Sequence, residues 1–326
     1  MILIITNKLD PHADWVIRLL KRKGIDFARF NTEDFPQKVV VSWEASEVGF
    51  EGEVNLPSGK NVILSQVSAC WYRRPLPPVV NKQIFTEHSK KFVLEESKEF
   101  LSFLWNNMNC FWINHPLDIK RAESKPLQLK FASKCGLSIP RTLITNSPKK
   151  AKEFCESCNG LVISKVLGRG EVEYQNDYYF IYTHRLKPED LKNLSDIRFA
   201  PVIFQEHIEK SVEIRVTIFG EKVFACEIHS QDSEKTKDDW RHYDFENVKH
   251  EVHQLPIEIE KKCLKLVKLL GLKFGAIDMI LTPGGQYVFL ELNPNGQWLW
   301  VEHLVGLPIS NALIDLLLNS LKSLRK

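Results

Sequence analysis

The first third of the chain alternates apolar and amphipathic stretches in the order strand, helix, strand. The apolar run MILIIT predicts a buried strand. Asp10 and Pro11 provide a cap and a first-turn proline for an amphipathic helix, which Gly24 ends. The next segment, IDFARFN, predicts a second strand, so the chain opens with a βαβ unit.

A hairpin excursion interrupts this pattern. The β-rich stretches VVVSW and VILS are separated by glycine and Pro-Ser-Gly turns, which favours short antiparallel strands. The segment SACWYRRP then predicts a strand that returns to the first sheet, and residues 83–108 predict a long helix. These elements form a first predicted domain over residues 1–115.

The pattern changes after His115 and Pro116. Helices and strands alternate at first, and from residue 177 to residue 225 strand patterns dominate, which is typical of antiparallel sheet. A helix over 256–270, a hairpin and an amphipathic helix complete the chain. We therefore predict an α/β protein with domains over residues 1–115, 116–204 and 205–326.

Composition narrows the class of protein. The 326 residues are 44% hydrophobic and 26% charged, which is typical of a globular protein, and the net charge of +3 is too small for a general attraction to nucleic acid or an anionic membrane. No apolar run is long enough to span a bilayer, and the N-terminus lacks the features of a signal peptide. We therefore expect a cytoplasmic protein whose seven cysteines are reduced.

The hairpin GAIDMILTPGGQYVFLELNPNG carries the most informative polar residues. Strand alternation places Asp278 on the face opposite to its apolar neighbours, and Glu291 and Asn293 share a face because they are two residues apart. Two carboxylates and an amide oxygen that converge among apolar residues suit Mg2+ held together with phosphates. The alternative is a solvated strand face followed by an Asn-Pro-Asn-Gly turn.

Two lysines and a glycine loop precede this hairpin. Lys165 lies in the apolar strand LVISKVL, where an ammonium group requires an anion. Gly168, Arg169 and Gly170 form a short loop suited to cover phosphates, although a hairpin turn has the same sequence pattern. Lys125 stands at a predicted helix start, and a helix N-terminus favours a bound anion. The alternative interpretation of Lys125 is a solvated surface lysine.

A broken strand supplies the third element. The segment VIFQEHIEKSVEIRVTIFG is apolar up to the hinge, breaks at Glu209 and resumes at Val212. The hinge consists of Gln205, Glu206, His207 and Ile208. Such a break leaves backbone N–H and C=O groups for a flat heterocycle, and it places Glu213 near sugar hydroxyls with Arg215 on the same face. A pair of edge strands with an ion pair is the alternative.

In their order along the chain, these elements resemble the ATP-grasp fold from about Pro116 to the C-terminus. That fold consists of two α+β lobes that sandwich ATP, and the N-terminal lobe resembles the pre-ATP-grasp domain of such ligases. The resemblance implies that Lys125 and Lys165 contact nucleotide phosphates, that the hinge contacts adenine and that Glu213 contacts ribose. It implies magnesium ligation by Asp278, Glu291 and Asn293.

Within this fold, the chain is most similar to the peptide maturases of the microviridin class, the graspetide ligases. The similarity lies in LDPHADWVIRLL, CWYRRP, SKPLQLKFA, ITN, EIRVTIFG, DDWRHYD, GAIDMILTPGGQYVFLELNPNGQW and HLVGLPI. Glu213 departs from the aspartate expected before Ile-Arg-Val. The resemblance implies use of ATP and Mg2+ to join Asp or Glu side chains of a ribosomal precursor peptide to Ser, Thr or Lys. It leaves the oligomeric state open, with a homodimer as one alternative.

Two further segments fit this interpretation. Residues 171–197 combine aromatic and charged residues in a stretch longer than a connection requires, which suits a surface for the leader of a peptide; a lid packed on the core is the alternative. Residues 230–247 are highly charged with few apolar anchors and predict a mobile loop. We expect Arg241 of this loop and Arg215 to contact the acyl phosphate, although Arg241 and Asp239 can also form a surface pair.

Two other functions remain open on the sequence. One is an amino-acid or small-peptide ligase of the same fold, such as a glutamate-adding enzyme. The other is a nucleotide-binding protein without turnover, against which the complete set of metal-ligand residues argues.

Overall fold

The elements occur in the predicted order. The computed structural model describes residues 1–47, 49–168, 170–174, 177–242 and 244–323. The strands are β1 (Ile2–Thr6), β2 (Phe27–Asn31), β3 (Val40–Ser46), β4 (Gly49–Asn55), β5 (Asn61–Ile63), β6 (Ala69–Tyr72), β7 (Phe111–Ile113), β8 (Thr142–Thr145), β9 (Val162–Lys165), β10 (Glu171–Tyr174), β11 (Asp177–Phe180), β12 (His184–Arg185), β13 (Val202–Glu206), β14 (Val212–Phe219), β15 (Lys222–Ile228), β16 (His250–His253), β17 (Phe274–Leu281) and β18 (Tyr287–Asn293). The α-helices of the described part are α1 (Pro11–Arg22), α2 (Glu87–Asn107), α3 (Pro116–Ala122), α4 (Lys125–Lys134), α5 (Pro148–Ser157), α6 (Ile257–Leu269), α7 (Leu299–Val305) and α8 (Ile309–Ser323).

The N-terminal sheet is parallel, with strand order β2-β1-β6-β7. Every residue of β1 is buried, because alternate side chains enter two different cores. Ile2 and Ile4 pack with α1 and α8, whereas Leu3 and Ile5 pack with α2. The predicted βαβ opening is confirmed, and β3, β4 and β5 form the predicted hairpin excursion as a separate antiparallel sheet.

The central sheet is antiparallel, with strand order β12-β9-β13-β8. Helix α5 covers it through Ala151, Cys155 and Cys158, and both cysteines are free and buried. The helix predicted after Lys187 is a 3-10 segment over Asp190–Phe199. Only Leu194 of this segment is buried, so it has too few apolar contacts to stabilise an α-helix.

The C-terminal sheet is antiparallel, with strand order β16-β15-β14-β17-β18. Its apolar face packs on α4 and α6 through residues such as Val216, Ile277 and Met279. The alternate residues of β14 and β17, among them Arg215 and Asp278, face the other side, and these two residues are directly opposite in the register. This second face carries the Arg215–Asp278 pair, and its end at Phe219 and Phe274 packs on the first domain.

The first domain and the C-terminal sheet share one core. Ile4 and Trp71 of the N-terminal sheet pack with Phe219, Phe274 and Trp298 in the same cluster. The loop that follows β18 is therefore fixed between the two parts. Among the described helices, none combines the length and the apolar character that a membrane span requires.

Candidate active site

A cavity of about 870 Å3 lies between the central sheet, the C-terminal sheet and the strand ends of the first domain. The structure brings most of the predicted site residues to its wall. These are Lys125, Lys165, Gly168, Gln205, Glu206, His207, Ile208, Glu213, Arg241, Asp278, Glu291 and Asn293. Gly170 and Arg215 are not among the described lining residues, and Arg169 lies outside the described residues.

The polar residues of the last hairpin converge as strand alternation predicts. Asp278 and Glu291 are paired across β17 and β18, and a register shift follows Asp278. Asn293 donates from Nδ2 to Asp278 Oδ2 over 3.2 Å, which leaves its amide Oδ1 as the remaining oxygen. Arg215 Nη1 lies 2.8 and 3.0 Å from the two carboxylate oxygens of Asp278. Two carboxylates and an amide oxygen in a buried cavity form a donor set that fits Mg2+.

The two carboxylates have different electrostatic environments. Burial raises the pKa of Asp278, against the opposing effect of Arg215 and with a contribution from Glu291. Burial would also raise the pKa of Glu291, but Lys125, Arg241 and Lys165 together hold that pKa below its ordinary value. Glu291 Oε2 is 3.9 Å from Lys125 Nζ, and Glu291 Oε1 is 3.9 Å from Arg241 Nη1. Glu291 is therefore ionised between two cationic side chains.

The two lysines provide positive charge beside these carboxylates. Lys165 Nζ donates to Gln205 Oε1 over 3.0 Å, and Lys125 Nζ donates to the carbonyl oxygen of Val166 over 2.8 Å. Burial lowers the pKa of Lys165, and the charge of Glu291 opposes that shift. Both ammonium groups retain donors beyond these single bonds, so they can hold anionic oxygens in the cavity.

The hinge differs from the prediction in its backbone pairing. The Glu206 N–H donates to the carbonyl of Arg141, and the His207 N–H donates to the carbonyl of Leu161, each over 2.9 Å. These two N–H groups are therefore not available to a flat heterocycle, because residues beside β8 and β9 continue the ladder. The hinge side chains still reach the cavity wall.

Glu213 is buried and held by two donors. Lys210 Nζ and Ser230 Oγ both donate to Glu213 Oε1, the latter over 2.9 Å. Burial raises the pKa of Glu213, whereas Lys210 lowers it in part. The second carboxylate oxygen, Oε2, is left to accept bonds from a polar group in the cavity.

The loop over 230–247 is anchored more firmly than its composition predicts. Trp240 is 8% exposed, packs 5.2 Å from Trp300 between ring centroids and lies under the Arg215 guanidinium at 5.8 Å. Trp240 is therefore an apolar anchor in a loop for which the sequence predicts few. Arg241 pairs with Asp239 through Nε at 2.8 Å and through Nη2, and it also lines the cavity.

The first domain contributes contacts that the sequence pattern does not predict. Arg73 Nη1 donates to the carbonyls of Asn295 and Gly296, and Arg74 Nε donates to that of Asn295. His12 Nε2 accepts the N–H groups of Trp298 and Leu299, each at 3.1 Å. The sequence signal for these contacts is the pair Arg73 and Arg74 at the end of the apolar strand in CWYRRP. These contacts hold the loop after Asn293 in place, although the contacting residues are more than 200 positions apart in the sequence.

A close approach requires Gly296 in that loop. A Cβ atom there would lie 2.4 Å from Ala276 Cβ and 2.7 Å from Arg215 Nη2. The Arg215 Nη2 group also donates to the carbonyl of Gln297 over 2.9 Å. The loop therefore packs directly against the Arg215–Asp278 pair.

Family models match both parts of the chain. The MvdD pre-ATP grasp domain matches residues 1–120, and the RimK-like ATP-grasp domain matches residues 122–317. A curated relative, the tetrahydromethanopterin:alpha-L-glutamate ligase of Methanocaldococcus jannaschii, is 24% identical over 222 residues. That match covers 65% of this chain and 71% of the relative.

Two solved structures are similar along nearly the whole chain. Macrocyclase MdnC bound with precursor peptide MdnA, from Microcystis aeruginosa MRC, is 31% identical with a TM-score of 0.86, over 98% of this chain and 99% of that chain. A Chryseobacterium gregarium RiPP-associated ATP-grasp ligase, in complex with ADP and a leader and core peptide, is 30% identical with a TM-score of 0.90, over 98% and 96%.

These findings confirm the predicted resemblance and the predicted fold class, an ATP-grasp fold preceded by a pre-ATP-grasp domain. The relatives are ligases, and the site described above lies within the matched ATP-grasp part. The chain therefore belongs to the RimK-like ATP-grasp family of ligases and carries an MvdD pre-ATP grasp domain at its N-terminal side.

Proposed function

We propose that this ligase activates Asp or Glu side chains of a ribosomal precursor peptide with ATP and joins them to Ser, Thr or Lys side chains as macrocyclic esters or amides. The observation that carries the proposal is the similarity to macrocyclase MdnC over both domains, at 31% identity and 98% coverage of this chain. The cavity supplies the groups that such a reaction needs.

The proposed nucleotide site follows the cavity wall. Lys125 and Lys165 hold phosphate oxygens, the hinge from Gln205 to Ile208 contacts adenine, and Glu213 accepts from the ribose through its remaining oxygen. Gly168 lies at the cavity wall, where its backbone can cover the phosphates. The similarity to a ligase solved with ADP supports this assignment.

The proposed metal site consists of Asp278, Glu291 and Asn293. Bound Mg2+ supplies neutralisation of phosphate charge at this position. Glu291 suits the role because it is ionised and its two cationic neighbours lie at 3.9 Å rather than in closer ion pairs. Arg215 pairs with Asp278 and so orients that carboxylate. We also predict that Arg215 contacts the acyl phosphate.

The reaction has two balanced steps. A substrate carboxylate attacks the γ-phosphorus of ATP, so that the acyl phosphate forms and ADP leaves. A hydroxyl or amine then attacks the acyl carbon, the carbon–oxygen bond to phosphate breaks, and the nucleophile loses its proton. The chain contributes positions and positive charge, with Arg241 placed to contact the leaving phosphate. Trp240 and its loop exclude water, which would otherwise hydrolyse the acyl phosphate.

The proposed leader surface is the segment 171–197. Val172, Tyr179 and Ile181 expose 45 to 54% of their surface there, so the segment presents apolar side chains to a partner. Strand β12 forms an edge of the central sheet, so its outer side is available for an added peptide strand. Arg185 of β12 is exposed beside this edge.

A glutamate-adding ligase is the second candidate function. It is favoured by the similarity of 24% to an alpha-L-glutamate ligase, which covers 65% of this chain. The similarity to the peptide-bound macrocyclase extends over 98% of the chain and includes the first domain, so we prefer peptide cross-linking.

Substitution of Glu291 tests the metal assignment. Glu291→Gln removes the charge that completes the proposed Mg2+ site, so we expect ADP formation with a leader-bearing precursor to fall on the order of 100-fold. ATP binding measured by calorimetry should change much less, because the adenine contacts lie at the hinge. The exposed Glu258→Gln, on α6, is the matched control. Wild-type turnover in Glu291→Gln at ordinary Mg2+ would contradict the assignment.

A further inference from the structure

A second cluster of ligating side chains lies away from the cavity. Glu227 lies on β15, His229 directly follows the last residue of β15, and Glu251 lies on β16. None of the three is among the described residues that line the cavity. The register pairs Glu213 with Ile228 and Arg215 with Cys226, so Glu227 and His229 point to the opposite face of the sheet from the nucleotide residues.

Two of the distances between the ligand atoms match the edges of a metal polyhedron. His229 Nε2 lies 3.3 Å from Glu227 Oε2 and 3.4 Å from Glu251 Oε2, and one ligand atom from each residue lies within 4.8 Å of the others. Tetrahedral zinc with bonds of about 2.0–2.2 Å to nitrogen and oxygen has ligand–ligand edges of about 3.4 Å. The two short edges of the cluster agree with that value.

The His229 imidazole lies between the two carboxylates. Its Nε2 is inaccessible to solvent and lies at ion-pair distance from Glu227 and Glu251, without the geometry of a well-formed hydrogen bond to either. Glu227 and Glu251 are directly opposite in the antiparallel register. Like charges in that arrangement destabilise a sheet, so a cation between them has a clear energetic role.

Neighbouring residues orient these ligands. Glu227 Oε1 contacts His253 Nδ1 at 2.6 Å, and His253 Nε2 contacts the Tyr287 hydroxyl at 2.8 Å. Such outer contacts fix the direction of a ligating carboxylate. Lys249 Nζ lies 2.9 Å from Glu251 Oε2 and is a competitor for that oxygen, but its side chain is 62% exposed and can move into solvent.

We propose that Glu227, His229 and Glu251 bind a transition-metal dication of the zinc class, with water completing the coordination. One imidazole and two carboxylates suit Zn2+, whereas Mg2+ prefers oxygen ligands alone and retains its waters. The chain leaves β15 beside this cluster and returns in β16, and the His229 N–H donates to the Lys249 carbonyl over 3.0 Å. The metal would thus fasten the base of the loop that carries Trp240 and Arg241.

The test is a Zn2+ titration of the metal-free full chain, with a competing chromophoric chelator and an excess of Mg2+ but no nucleotide. We expect one Zn2+ per chain, with affinity reduced at least about tenfold in His229→Ala and in Glu227→Gln. Glu291→Gln and the surface control His184→Ala should bind Zn2+ as the wild type does. Equal binding by wild type and His229→Ala, or loss of binding in Glu291→Gln, would overturn the proposal.

Two further measurements guard against a folding defect. Lys249→Met removes the competitor and no ligand, so it should bind Zn2+ as tightly as the wild type or more tightly; weaker binding would contradict the ligand set. Zn2+ should also slow tryptic cleavage after Lys235 and Lys237 in the wild type and leave it unchanged in Glu227→Gln. If bound Zn2+ leaves cleavage of the wild-type loop unchanged, it does not fasten the loop.

Discussion

At the scale of single residues, the site depends on the buried ion pair between Arg215 and Asp278. Arg215 neutralises Asp278 through two bonds from one nitrogen, and its other terminal nitrogen holds the carbonyl of Gln297. Removing one member of such a buried pair leaves an uncompensated charge, which costs far more than a surface pair is worth. The orientation of the proposed metal ligands thus depends on a side chain that does not line the cavity.

His12 makes the stability of the first domain sensitive to acid. Burial, followed by the charge of Arg73, lowers the pKa of His12 from 6.5 to about 2, and the neutral ring accepts two backbone N–H groups near Trp298. Below pH 6.5 His12 becomes protonated in the unfolded chain but stays neutral in the folded chain. Stability from His12 is therefore present above pH 6.5 and declines as the pH falls, by up to about 1.4 kcal/mol per pH unit.

The substitution His12→Gln tests this linkage. At pH 7.5 the variant should be less stable by about 1–3 kcal/mol, because two buried donors lose a well-placed acceptor. At pH 5 the difference from the wild type should shrink by about 2 kcal/mol, since the variant has no histidine to titrate there. Urea unfolding at the two pH values measures both, with the exposed His88→Gln as control. A constant difference would show that His12 is not held neutral.

At the scale of elements, the loop 230–247 contacts both a hydrophobic cluster and the cavity. Its apolar anchor Trp240 packs in a small cluster with Ile228 and Val248, while Asp238, Asp239 and Arg241 line the cavity. An anchor and a charged tip suit a segment that closes over a reactive intermediate. A single tryptophan among many charged residues gives little signal in a hydrophobic pattern, which is why the anchoring was missed.

Arg241→Ala tests the role of this loop. The loss of a cation beside Glu291 should slow ring formation on the order of 100-fold, because the leaving phosphate loses its stabilising contact. The ratio of ADP to cross-linked peptide should rise, as more acyl phosphate reaches water. Product and ADP are quantified together, with Lys235→Ala of the same loop as control. An unchanged rate and ratio would show that the loop only connects β15 to β16 and has no role in the reaction.

At the scale of the whole molecule, the proposed leader surface adjoins the proposed nucleotide site, because Ile181 of segment 171–197 also lines the cavity. The proposed leader surface joins the central sheet through β12, which pairs with the strand that carries Lys165. Arg185→Ala should therefore weaken binding of a leader-bearing peptide about tenfold or more, as expected for an interface anchor. ATP affinity should stay near that of the wild type. Fluorescence anisotropy of labelled leader and calorimetry with ATP separate the two, and equal losses would indicate a folding defect.

The sequence predicted those features that local periodicity determines. The convergence of Asp278, Glu291 and Asn293 followed from alternation in one hairpin, and the burial of β1 followed from its apolar run. The pairing of the hinge N–H groups and the contact of Arg73 with the loop at 295 depend on residues distant in sequence. No local pattern encodes such partners, so these features required the fold.

The mass of the product tests the central claim most directly. The protein, MgATP, free glutamate and a leader-bearing peptide with a core of Ser, Thr or Lys and Asp or Glu are incubated, and the mass of the intact peptide is measured by mass spectrometry. We predict the loss of one water for each ring, with one ADP formed per ring. A gain equal to an added amino acid would contradict cross-linking in favour of the glutamate-adding alternative, and ADP formation with an unchanged peptide mass would contradict both.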